Sequence, residues 1–210
     1  MKHSMLHWNG HQMCAIDTET TGLIAGYHEI YEVAIIPLTS NLEVRRDIIP
    51  FSVKIRPEFP ERVDPKAITK TRFADVLMNG FDCEKVKDLL QEWYKKLDLP
   101  YTDFGNQKKI MPMGHNYIQF DRNFLVAWLG QEIYDELFFY IPRDTMVAVA
   151  YLNDRYAMHA ERVPHQKYSL HYICNTLNIE WDSSQAHYAL YDAVKAAAVY
   201  KKLLEQGLIA

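Results

Sequence analysis

The sequence feature that most constrains the fold is the run Met13-Cys14-Ala15-Ile16, which leads directly into Asp17-Thr18-Glu19-Thr20-Thr21-Gly22. An apolar run of this kind reads as a buried strand, and strand side chains alternate faces at about 3.3 Å per residue. Asp17 and Glu19 therefore point the same way, roughly 6.6 Å apart along the chain, while Thr18 faces the other side. Two carboxylates on one buried face repel each other unless protons, a basic partner or a hard divalent cation neutralises them. The plainer alternative is a strand end fraying into solvent, with Thr-Thr-Gly as its turn.

At 210 residues and 49% hydrophobic composition, the chain can bury one substantial core, and we expect one domain over 1–210: a leader at 1–10 and a core from about 12 to 206. The formal charge of -4 gives no overall basic footprint for nucleic acid, so any polyanion must be held locally. Cys14, Cys83 and Cys174 are few and widely spaced, which argues against a disulfide framework or a zinc site. With no apolar signal segment and no run of about 18 apolar residues, we expect a soluble protein of the reducing cytoplasm without a membrane partner.

Residues rich in β-branched and aromatic side chains predict strands at 12–18, 28–38 and 47–56. Three prolines between 57 and 66 exclude a long element there, leaving room for a short helix at about 65–72. Helical spacing predicts a helix over 81–97, with Asp82 placed to cap it. A short strand at 108–115, a helix over 119–129 ended by Gly130, a short strand at 138–141 and a helix from Pro142 to about 156 follow. Residues 157–167 read as a surface loop, and two helices close the chain at about 169–177 and 188–204. Strands followed by helices alternating with short strands describe a sheet covered by helices.

Two more polar clusters matter. In Gly114-His115-Asn116-Tyr117-Ile118-Gln119-Phe120-Asp121, a strand-to-helix turn delivers Asp121 to the first helical turn, where capping is the commoner use of an acid. In His187-Tyr188-Ala189-Leu190-Tyr191-Asp192-Ala193, five helical positions would set His187 and Asp192 about 140° apart, so they meet only if His187 precedes the helix. A helix capped at Ser183 or Ser184 would separate them. Otherwise Asp192 pairs with Lys195 and His187 lies on the surface.

Together, D-x-E, H-N-x-x-x-F-D and H-x-A-L-x-D-A, in that order, resemble the DEDDh (DnaQ-like) 3′→5′ exonucleases, a group that includes proofreading subunits, ribonuclease T and oligoribonuclease. The resemblance runs from Met13 to about Leu204. It implies an α/β, ribonuclease H-like fold: a five-stranded mixed sheet flanked by helices. It further implies that Asp17, Glu19, Asp121 and Asp192 bind two Mg²⁺ or Mn²⁺ ions, one activating a water and the other stabilising the leaving 3′ oxygen, with His187 as general base. Thr20, Thr21 and Leu23 would underlie the 3′-terminal nucleotide, with Asn116 and Phe120 opposite. The function expected is release of 5′-mononucleotides from the 3′ end of DNA, with a single strand as substrate and a polymerase or replication protein as partner. Asn116 lies five residues before Asp121, as in oligoribonuclease-like members, which keeps an RNA exonuclease as the alternative. A non-catalytic module that binds nucleic-acid ends is the second, and a missing metal ligand would mark it; none is missing.

Overall fold

The computed structural model describes residues 10–101, 107–159 and 161–207, so all but the last residue of the expected leader lies outside it. The strands are β1 (Gln12–Thr20), β2 (Ile30–Pro37), β3 (Phe51–Lys54), β4 (Ile110–Gly114) and β5 (Arg143–Asp144). They form one sheet in the order β3-β2-β1-β4-β5. β1 pairs antiparallel with β2, and β2 with β3. On its other edge β1 pairs parallel with β4, and β4 with β5. This is the expected five-stranded mixed sheet. The helices are α1 (Lys70–Asn79), α2 (Cys83–Lys95), α3 (Asp121–Leu129), α4 (Gln131–Leu137), α5 (Thr145–Met158), α6 (Leu170–Thr176) and α7 (Ala189–Gly207).

Alternation along β1 builds two cores. Cys14 and Ile16 pack with Val86 and Leu90 of α2 and with Phe124 and Leu125 of α3. Met13 and Ala15 pack on the other face against Ala189, Ala193, Ala196 and Ala197 of α7. Small residues on α7 bring its backbone close to the sheet, and β2, buried along its whole length, reads as a nearly unbroken apolar run because both faces are covered. Among the described residues, no helix is long and apolar enough to cross a membrane.

Several expectations are corrected. The strand expected at 138–141 is absent: Phe138 makes one isolated bridge to Ile110, and β5 lies at 143–144. Packing decides this, since Phe138 stacks on Tyr134 and Phe139 on His11. The short helix placed at 65–72 is instead α1, which starts at Lys70 because the Thr69 hydroxyl accepts the Arg72 N–H. Helix α4, which follows α3 directly after Gly130, was not anticipated. Asp82 is the N-cap residue of α2, but its carboxylate makes no cap hydrogen bond and pairs with Arg56. Within 157–167, His165 is buried. Its backbone N–H and C=O are both bonded by the Asn153 amide, and its Nδ1 lies 3.0 Å from the Thr176 hydroxyl.

Candidate active site

The site forms at the C-terminal end of β1. Asp17 and Glu19 continue the odd-numbered face that packs on α7, and that helix carries Asp192 in its first turn. Because α7 begins at Ala189, His187 precedes it with a φ of 63°, and its backbone N–H donates to Asp192 Oδ2 at 3.1 Å. The two residues therefore meet. The alternative pairing of Asp192 is not made, since the Lys195 ammonium donates to the Glu180 carbonyl. Ligand atoms of Glu19, His187 and Asp192 lie within 4.8 Å of one another.

Asp121 arrives from the opposite face. Thr18, on the even-numbered face, gives both its backbone N–H (2.8 Å) and its hydroxyl (2.7 Å) to Asp121 Oδ1. The carboxylate is thus turned toward β1, and Phe120 holds the N-cap position of α3 without a side-chain bond. The preceding turn is fixed by Asp144, which the sequence reading missed. Its carboxylate accepts the backbone N–H groups of Asn116 (3.2 Å), Ile118 (3.0 Å) and Met146 (2.8 Å). An acid directly before an apolar helical run is the signal that could have marked it.

A cleft of about 350 Å³ collects these groups: Asp17, Glu19, Asp121, His187 and Asp192 line it, together with Thr20, Leu23, Asn116 and Phe120. Thr21 does not line it: fully buried, its hydroxyl accepts the Glu29 N–H. Leu23 is highly exposed at 77%, an apolar side chain left open to solvent. Sequence reasoning also missed Lys66, Ala67 and His115 in the lining. Outside the cleft but against it stand Tyr31, whose hydroxyl donates to Glu19 Oε2 at 3.3 Å, and Glu32, directly opposite Glu19 on β2.

The electrostatics follow from burial of many acids. Burial, then the carboxylates of Asp121, Glu19, Asp192 and Glu32, push Asp17 well above the ordinary carboxylate range. Glu19 is pushed up to about 8, chiefly by burial, against the opposing pull of the Arg72 cation. Asp121 rises to about 7 through burial, held down in part by the two Thr18 donors. Asp192 is raised by burial, with the His187 N–H opposing. Its Oδ1 is buried and, among the described residues, has no hydrogen-bond partner, although Asp192 lines the acidic cleft. Oxygen donors that repel one another and a buried lone acceptor fit divalent cations of the Mg²⁺ class.

The sheet order and the flanking helices define a ribonuclease H-like α/β fold. A family model described as exonuclease matches residues 14–104, which include Asp17 and Glu19. Solved structures with the same fold include Escherichia coli Exonuclease I in complex with a 5cy-dT13 oligonucleotide, at TM-score 0.66 and 17% identity over 96% of this chain and 42% of that one. A moderately thermophilic Exonuclease I from Methylocaldum szegediense matches at TM-score 0.67 and 16% identity, over 93% of this chain and 41% of that one. The zinc-bound E. coli ExoI–ssDNA complex matches at TM-score 0.68 and 18% identity, over 94% and 41%. The chain thus spans about two fifths of the length of these neighbours. The chain is thus similar to exonucleases in sequence over residues 14–104 and in fold over nearly its whole length.

Proposed function

We propose that this protein removes 5′-mononucleotides one at a time from the 3′ end of single-stranded DNA, with Mg²⁺ or Mn²⁺ as cofactor, and that its exonuclease domain extends across the chain from about 12 to 206. The observation that carries the reading is the convergence of four carboxylates and His187 in one cleft. Asp17, Glu19, Asp121 and Asp192 would hold the metal, which when bound offsets phosphate charge and acidifies the attacking water.

The chain's own residues supply the rest. His187, exposed and beside Glu19 and Asp192, takes the proton from the water as general base. Leu23 and Phe120 offer apolar surfaces for the terminal base and sugar, while Asn116, held in the left-handed region at φ 64°, gives a polar edge. Lys66 in the same lining supplies a cation for the phosphate, the local positive charge that an acidic chain requires.

DNA is favoured because similar folds have been solved with dT13 and dA13 oligonucleotides. Digestion of matched 5′-labelled DNA and RNA oligomers with Mg²⁺ tests it. A ladder shortening from the 3′ end on DNA is expected; shortening of RNA alone would move the substrate to RNA, and release from the 5′ end would exclude the assignment.

A further inference from the structure

Beside the cleft, Arg72 sits at a junction that the catalytic reading leaves unexplained. It projects from the first turn of α1, and its side chain is 16% exposed. Its Nη2 donates to Glu32 Oε2 at 2.8 Å, and its guanidinium carbon lies 4.3 Å from the centroid of the Tyr188 ring and 5.4 Å from that of Tyr31. These contacts join three elements: α1, the strand β2 that carries Tyr31 and Glu32, and the turn His187-Tyr188 before α7.

Each contact answers a local problem. Glu32 and Glu19 are directly opposite on adjacent antiparallel strands, a pairing of like charges that costs stability. Removing one buried charge partner also leaves the other uncompensated. A guanidinium suits this place because it stays charged, can donate to a carboxylate and can also lie over an aromatic ring. On the other side, His187 holds a positive φ and is anchored through its backbone to Asp192. The next residue along, Tyr188, carries the ring over which the Arg72 guanidinium carbon lies. Clamping that ring fixes the direction in which the turn presents His187.

We propose that Arg72 is a positioning residue of the exonuclease site: it compensates the Glu19–Glu32 carboxylate pair and, through the Tyr188 ring, holds the turn that presents His187. This rests on the exonuclease reading above, and the two can fail separately.

The test pairs kinetics with melting. Arg72→Met and Tyr188→Ala should each lower kcat about 10-fold with KM for a dT oligomer within about 2-fold, and the double variant should be no slower than the slower single, because both break one clamp. Tyr188→Phe, which keeps the ring, should restore the rate. In chelator, Arg72→Met should melt about 4 °C or more below the parent protein, and saturating Mg²⁺ should raise its melting temperature by more than it raises the parent's, since metal then offsets charge that Arg72 no longer balances. Tyr188→Ala should show no such excess. A plain packing role would lower melting equally with and without metal. Tyr188→Ala at the parent rate, losses that multiply to about 100-fold in the double variant, or an equal melting loss in both conditions would overturn the proposal. Failure of the parent protein to cleave any oligomer would instead sink the exonuclease reading, while the melting comparison would still decide the charge role.

Discussion

Thr18 spends both of its donors on one oxygen of Asp121, 103 positions away, with the backbone N–H at 2.8 Å and the hydroxyl at 2.7 Å. That oxygen is how α3, on one face of the sheet, is keyed to carboxylates that face α7 on the other. Thr18→Val keeps the β-branched shape and deletes only the hydroxyl donor. Asp121, already raised to about 7 by burial, should rise further when a bond to its charged form is lost. The acid limb of the kcat/KM profile should move to higher pH, with a loss of about 10-fold at neutral pH, the size of one such bond. Rates measured from pH 5.5 to 9 check this, and an unmoved limb would detach Thr18 from the chemistry.

The acids should also make the metal-free protein unusual in its pH dependence. Glu19 sits at about 8 in the folded state, above its ordinary range when unfolded, so the folded state binds more protons between the two values. Stability in chelator should therefore fall as pH rises from about 4.5 to 8, and Mg²⁺ should flatten the decline by replacing those protons. Calorimetry in two buffers of different ionisation enthalpy should detect release of on the order of one proton per protein at pH 7. A melting temperature in chelator that rises across that range would contradict the burial of these carboxylates.

How much of this could be read from the chain depends on whether the signal was local. β1 with its two same-facing acids, the strand that became β2, and the closing helix α7 all follow from period and composition within one segment. The His187–Asp192 encounter did not, because it turns on a helix start that three serine and histidine positions could each provide; only packing of Ala189 and Ala193 on the sheet fixes it. The strand expected over 138–141 failed for a similar reason, as its aromatics had partners far away in sequence, at His11 and Tyr134. Arg72 and Glu32 were illegible as site residues because their roles consist of contacts between elements, and Asp144 was legible only as a helix cap, since its bonds to the Asn116 turn cross between elements.

Asp144 gives a prediction about the Asn116 turn. With three backbone N–H groups on its carboxylate, Asp144→Ala should cost about 1–3 kcal/mol of stability and lower kcat, as Asn116 loses the anchor for its left-handed conformation. Asp144→Asn, which keeps one acceptor oxygen, should fall between. Denaturant melts beside steady-state rates check both effects; a stable Asp144→Ala protein at full rate would show that the turn holds itself.

His187 is the residue whose role the geometry leaves divided between two chemistries, and one variant separates them. Its ring lies within ligand distance of Glu19 and Asp192, yet it is exposed, on a turn outside the helix, where a base could reach a water. As a base, His187→Ala should lower kcat by about 10²- to 10⁴-fold while Mg²⁺ and oligonucleotide affinities stay nearly unchanged. As a ligand, the same change would show mainly as weakened metal binding in a direct titration. His171 is the proper control, since it is exposed, bonded to the Asn175 amide and stacked on Trp181. His165 is not, because its burial against Asn153 and Thr176 would confound a rate change with unfolding. If His187→Ala keeps its rate, proton transfer passes to solvent, and the four carboxylates alone carry the hydrolysis.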